Sequence, residues 1–161
     1  MTRVIMHGCN GHMGRVITDL VSKDDDIEIV AGIDPFDDGH NTYPVFASIK
    51  DCDVKADAVI DFASAKAEDA LLDYCVEKQI PVVLCTTGLS EEQLAKVKEA
   101  GEKVAVLRSA NMSLGVNLLM KLLKDAARED MLIIEDDYNS EFRYYNRPTP
   151  SLQGLSGGRG V

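Results

Sequence analysis

Short apolar runs and helix-periodic segments alternate along this chain from residue 3 to residue 135, and that alternation constrains the fold more than any other feature. Val4-Ile5-Met6-His7 is an apolar run that stops at Gly8, and it reads as a buried strand. From Gly11 to Val21, residues Met13, Val16, Ile17, Leu20 and Val21 recur at helical spacing. Glu28 to Ile33 is a second strand, ended by Asp34-Pro35, because proline disfavours helix at the residue before it. Residues 36–48 read as loop. Ala58 to Asp61 is a third strand, Ala65 to Lys78 a helix, and Pro81 to Cys85 a fourth strand. Ser90 opens the next helix with Gln93 three residues on, where a capping box places its partner. Lys103 to Leu107 is a fifth strand, Gly115 to Glu129 a strongly apolar helix, and Met131 to Glu135 a sixth strand. Strands that alternate with helices through short connections pair by crossovers. The expected class is therefore α/β, a Rossmann-like doubly wound parallel sheet. From about residue 136 glycine, proline and aromatic residues crowd together, and an irregular tail is expected. The organisation read from this is a dinucleotide-binding domain over residues 1–130 and a short separate segment over 131–161.

Composition narrows the function classes. A chain of 161 residues suits one domain, or one domain with part of a second. At 45% hydrophobic residues it is not generally disordered. Lys and Arg number 17 against 27 Asp and Glu, and a net charge of −10 argues against nucleic acid as a partner, because phosphates require a basic face. No run approaches the roughly 18 apolar residues of a membrane span. Met1 leads directly into the first strand without the features of a secretory signal, so the expectation is a cytoplasmic protein. Cys9, Cys52, Cys75 and Cys85 are widely spaced, with no Cys-x-x-Cys, and read as reduced thiols. No metal site is expected: the runs Asp24-Asp25-Asp26 and Asp136-Asp137 read as solvated turns.

In doubly wound folds ligands bind at the carboxyl ends of the strands. Gly8-Cys9-Asn10-Gly11-His12-Met13-Gly14 follows the first strand and opens the first helix. Glycines there let the backbone turn tightly and approach a pyrophosphate, and the helix N-terminus offers free amides and partial positive charge. His7 and His12 flank this loop, where an imidazole either touches phosphate oxygens or faces solvent. Asp34 ends the second strand, 20 residues after Gly14. An acid at that spacing accepts hydrogen bonds from the adenosine ribose and repels a 2′-phosphate. Pro35 follows it, so no adjacent base compensates, and NADH is favoured over NADPH. Asp61-Phe62-Ala63-Ser64, Cys85-Thr86-Thr87-Gly88 and Ser109-Ala110-Asn111-Met112-Ser113 close three further strands. A nicotinamide ring needs a flat apolar contact and partners for its carboxamide, which Phe62, Thr86, Thr87 and Asn111 can supply. Turn chemistry explains each of these residues equally well when taken singly.

At these residues the sequence resembles the 4-hydroxy-tetrahydrodipicolinate (dihydrodipicolinate) reductases of lysine and diaminopimelate biosynthesis. The matching elements are Gly8-x-x-Gly11-x-Met13-Gly14, Asp61-Phe62, Thr86-Thr87-Gly88, and Ala110-Asn111-Met112-Ser113-Leu114-Gly115-Val116-Asn117. The resemblance covers residues 3–135. It implies a two-domain homotetramer whose Rossmann-like domain binds NADH or NADPH, and whose second domain binds the small heterocyclic substrate. Hydride passes from the nicotinamide, and an acid donates the proton. Carried over, Gly8, Cys9, Asn10, Gly11, His12 and Met13 would hold the pyrophosphate and Asp34 the ribose. Cys85, Thr86 and Thr87, with Ser109, Ala110, Asn111 and Met112, would line the nicotinamide end. Cys85 stands where the family has glycine.

A larger departure follows Glu135. The family continues with a Glu-x-His-His segment, a lysine and a Pro-Ser-Gly-Thr loop, which hold its proton donor and substrate anchor. Here the chain reads Glu135-Asp136-Asp137-Tyr138-Asn139, with no histidine after His40 and no lysine after Lys124. Residues 131–161 are thus read as a remnant of the substrate domain. No catalytic residue is named: Tyr138, Arg143, Tyr144 and Tyr145 are the nearby groups able to donate a proton or bind a carboxylate. The resemblance implies the reductase reaction, with weak or absent turnover. One alternative is a nucleotide-binding or regulatory module without catalysis. Another is an aspartate- or homoserine-type dehydrogenase, against which Ala110-Asn111-Met112-Ser113 argues.

Overall fold

A computed structural model describes residues 1–109 and 111–134. The chain divides into two compact units, Met1–Ala110 and Asn111–Val161. The first holds β1 (Thr2–His7), α1 (His12–Val21), β2 (Ile27–Ile33), β3 (Val45–Phe46), β4 (Ala58–Asp61), α2 (Glu68–Lys78), β5 (Val82–Leu84), α3 (Glu91–Gly101) and β6 (Val106–Arg108). All neighbouring strands run parallel, in the order β3-β2-β1-β4-β5-β6. This is the doubly wound order, and the strand sequence reverses between β1 and β4.

The core forms because strand side chains alternate between faces. Val4 and Met6 of β1 pack with Cys9 and Ile29, against Ile17 and Val21 of α1. Ile5 points the other way, with Ala31, Ile33, Val59, Val82 and Leu84, against Leu71, Leu72 and Cys75 of α2 and Val97 and Ala100 of α3. Ser90 caps α3 by accepting from the Gln93 amide, and the Gln93 side chain returns to the Ser90 amide. The expected capping box is present.

Three expectations are corrected. Residues 36–48 are not all loop: Val45–Phe46 forms β3, because Gly32 and Ile33 at the end of β2 offer an unpaired edge. Two residues carry too little periodicity to be read from sequence. The fifth expected strand sits later, at Val106–Arg108, since the turn after α3 takes up Lys103 and Val104 through bonds to the Ala100 carbonyl. Residues 131–134 form no strand, although their composition is apolar; the Met131 amide instead bonds back to the Ala126 carbonyl at the end of a helix. Glu135 and the expected irregular tail lie outside the described residues.

The described part of the second unit, residues 111–134, contains α4 (Leu114–Arg128). Ser113 caps it by accepting from the Val116 amide, and Lys121 pairs with Asp125 one turn on. Its expected apolar character is present in Leu118, Leu119, Met120 and Leu122. Among the described residues, no helix is long and apolar enough to cross a membrane.

Candidate cofactor site

The glycine loop is built by close backbone packing. Gly8 adopts φ +80°, and a Cβ there would lie 2.7 Å from the Phe62 carbonyl oxygen. A Cβ on Gly14 would lie 2.2 Å from the Gly8 carbonyl oxygen, so the helix could not start where it does. Gly11 differs: the nearest atom to its Cβ is the Gly8 carbonyl oxygen at 3.3 Å. Gly11 is also the N-cap of α1, with no side-chain cap and no acid in the first turn. Serines cap α3 and α4, whereas the first amides of α1 are left for an external acceptor.

The loop is clasped to the end of β2. Asp34 accepts from the Asn10 amide at 3.1 Å and from the Phe36 amide at 3.0 Å. The Asn10 side chain donates to the Phe36 carbonyl and accepts from Asn41. The Cys9 thiol is buried against Gly32, and burial, then Asp34, pushes it up to about 11. The side chains of Cys9 and Asn10 therefore brace the loop, and only their backbone is left to meet a ligand. Asp34 is a loop anchor as well as a candidate ribose acceptor. His12 and Met13 are exposed at the start of α1.

Gly8, Gly11, Asp34 and Phe62 come together in a cleft of about 470 Å³ at the sheet's carboxyl edge. His7, Ser48, Ser64 and Lys66 line the same cleft. Sequence reading brought Ser64 to this edge but not Ser48 or Lys66, which lie at 3₁₀ turns without a motif of their own. Cys85 and Thr86 are buried at the end of β5, and Thr87 is exposed. The Ser109 amide bonds to the Leu84 carbonyl at 3.0 Å, which places it beside that strand end. The Thr86 hydroxyl is buried without a hydrogen-bond partner among the described residues. Ala110 lies outside the described residues, and Asn111 and Met112 belong to the second unit.

A second feature lies under the loop. His7 and Asp61 are partners in the β1–β4 register, and the His7 Nδ1–H donates to Asp61 Oδ1 at 2.6 Å. Their side chains are 5% and 1% exposed. Asp61 Oδ2 and both oxygens of buried Glu68 have no partner among the described residues. Burial, then Asp61 and Asp69, push the Glu68 carboxyl up to about 7. A folded pKa above the ordinary 4.5 means that ionised Glu68 costs stability. That cost is absent below about pH 4.5, grows as pH rises to about 7, and stays in full above it. Glu68→Gln is expected to stabilise the protein at about pH 8 by on the order of 2 kcal/mol, and far less at about pH 4. Urea unfolding at the two pH values checks this; an equal effect at both would remove the charge from the explanation.

These features fit a dinucleotide: a tight glycine cradle, an uncapped helix start, an acid at ribose spacing, and an orphaned hydroxyl at the far strand end. The family model described as "Dihydrodipicolinate reductase, N-terminus" matches residues 2–112. The chain belongs to the dihydrodipicolinate reductase family. The 4-hydroxy-tetrahydrodipicolinate reductase of Clostridium novyi (strain NT) is 47% identical over 146 residues, covering 88% of this chain and 58% of that protein. That of Clostridium tetani (strain Massachusetts / E88) is 41% identical over 146 residues, covering 88% and 57%. The chain thus spans less than two thirds of the length of these reductases. Among solved structures, dipicolinate-bound dihydrodipicolinate reductase from Paenisporosarcina sp. TG-14 superposes with a TM-score of 0.66 at 24% identity, over 79% of this chain and 54% of that one. The WlbA dehydrogenase of Bordetella pertussis, in complex with NADH and UDP-GlcNAcA, gives a TM-score of 0.61 at 15% identity, over 78% of this chain and 40% of that one. At 15% identity the likeness to the WlbA dehydrogenase is one of fold alone. Among the described residues, no cluster of three or more His, Cys, Asp or Glu is placed to hold a metal ion.

Proposed function

We propose that this chain is the cofactor-binding part of an NAD(P)H-dependent 4-hydroxy-tetrahydrodipicolinate reductase of lysine and diaminopimelate biosynthesis. The observation that carries the reading is the uncapped α1 start behind the Gly8–Gly14 loop, joined in one cleft to Asp34. The cofactor supplies a hydride to the heterocyclic substrate. The chain's own residues hold it: the loop amides and the α1 N-terminus take the diphosphate, and Asp34 takes the ribose hydroxyls. The buried Thr86 hydroxyl is a ready partner for the nicotinamide carboxamide. Residues 131–161 would belong to the substrate domain, and the family's homotetramer is an expectation for the enzyme. No proton donor is assigned.

NADH is the preferred cofactor, since the Asp34 carboxylate repels a 2′-phosphate and Pro35 offers no compensating charge. Lys66 lines the same cleft and moderates that preference. Asp34→Asn removes the charge and keeps an acceptor for one of the two amides, of Asn10 and Phe36, that the two carboxylate oxygens serve. It is expected to narrow the ratio of NADPH to NADH dissociation constants by roughly tenfold, about 1.4 kcal/mol. Calorimetric titration with both nucleotides checks it; an unchanged ratio means that another group reads the ribose. In an NADH-oxidation assay with the heterocycle, weak or absent turnover is expected from this chain, and rapid turnover would show that a proton donor is present after all. ADP-ribose competing as strongly as NADH would favour a nucleotide-binding module without catalysis.

A further inference from the structure

We propose that Lys66 reads the 2′-phosphate of NADPH: the base that β2 lacks after Asp34 comes from the turn after β4, and the chain accepts both nucleotides. The inference rests on the dinucleotide reading of the cleft and deepens it. A 2′-phosphate projects from the same ribose that Asp34 is placed to hold, so its counter-charge must stand on the Asp34 cleft. Asp34-Pro35 offers none. Among the described residues lining that cleft, Lys66 is the only lysine or arginine, and it is exposed.

Its charge is available. Arg3, Arg15, Lys23 and Lys96 each pair with an aspartate, whereas Lys66 forms no ion pair among the described residues. Asp34 does not take it, because its two carboxylate oxygens accept from the Asn10 and Phe36 amides at 3.1 Å and 3.0 Å. Those amide dipoles also offset part of the carboxylate field, which softens its repulsion of a phosphate. The turn that carries Lys66 is fixed at both ends. The Ala67 amide bonds to the Ser64 carbonyl at 2.9 Å, and the Gln93 side chain of α3 donates to the Ala65 carbonyl at 2.6 Å. Only the flexible stem of Lys66 is left to adjust toward a ligand. Two hydroxyls line the cleft with it. Ser64 makes no capping hydrogen bond, and the Ser48 hydroxyl accepts from the Lys50 amide, which leaves its proton to donate.

A phosphate monoester carries a charge of about −1.5 to −2 at neutral pH, and a lysine ammonium is a compact counter-charge for it. NADH lacks that group, so Lys66 favours NADPH and contributes little to NADH. A contact with the diphosphate instead would serve both nucleotides alike.

The test is calorimetric titration of the full chain with NADH and with NADPH. Lys66→Ala is expected to raise the ratio of NADPH to NADH dissociation constants about tenfold, through weaker NADPH binding. Lys66→Arg keeps the charge and should hold the ratio within about threefold of wild type. Lys98→Ala removes a lysine charge from an exposed position of α3 outside the cleft, and should leave the ratio unchanged. An unchanged ratio in Lys66→Ala, equal weakening of both nucleotides, or the same shift in Lys66→Arg or Lys98→Ala overturns the proposal. So does a wild-type chain that binds NADH but not NADPH; each of these results leaves the dinucleotide reading standing. A folded wild-type chain that binds neither nucleotide overturns that reading, and this inference with it.

Discussion

Gly11→Val is expected to weaken NADH binding at least about 100-fold, roughly 3 kcal/mol, while the chain stays folded. The reason is local. A Cβ at Gly11 has only the Gly8 carbonyl oxygen near it, at 3.3 Å, so the loop accommodates it by a small shift. The added isopropyl group then occupies the space over the first turn of α1, where the diphosphate must approach. Gly14→Val serves as the contrast, since its Cβ would lie 2.2 Å from the Gly8 carbonyl oxygen and the strand-turn-helix junction itself would fail. Calorimetric NADH titration, with circular dichroism to confirm the fold, distinguishes the two variants. A folded Gly11→Val chain with unchanged NADH affinity would refute the assignment of the loop to the diphosphate.

Asp61→Ala is expected to destabilise the first unit by about 3 kcal/mol near neutral pH. It removes the acceptor of the His7 Nδ1–H and of the Ala63 amide, which lie 2.6 Å and 3.2 Å from Asp61 Oδ1. It also leaves His7 buried without a partner, and stranding one member of a buried pair is the costly case. Relief of the repulsion between Asp61 and Glu68 offsets part of this loss. Asp61→Asn keeps an acceptor at the same place and should cost less than half as much. Urea unfolding of the three chains checks the order. Equal stability of Asp61→Ala and wild type would mean that the buried pair contributes nothing to the fold.

Much of the site was legible because its signals are local. Gly8, Gly11 and Gly14 stand between an apolar run and a helical period, and a loop of that kind has few other uses. Asp34 was found by its distance from the loop along the chain. Ser90 and Gln93 announced α3 through a cap that needs only four consecutive residues. β3 was missed because two residues have no period, and its pairing depends on the edge of β2. The apolar run 131–134 misled for the converse reason: apolar composition alone does not choose between a strand and an irregular segment. Lys66 and Ser48 reach the cleft that Asp34 lines only because β4 and β3 end at the same sheet edge. His7 was noticed as a neighbour of the glycine loop, yet its partner lies 54 residues away.

The sequence by itself determined the class of fold, the position of the glycine loop and the acid at ribose spacing. Each follows from residue periodicity or from backbone geometry that only glycine permits. The tertiary structure decided what those residues do besides. It made Asp34 a clasp for the loop amides, turned the Cys9 and Asn10 side chains to bracing, and brought Lys66 into the same cleft as Asp34. It also buried His7 against Asp61 with Glu68 close by. The physical reason is that burial and pairing depend on which strand lies beside which. A parallel sheet sets that by crossovers, which place β1 beside β4 although the whole of α1, β2 and β3 separates them along the chain.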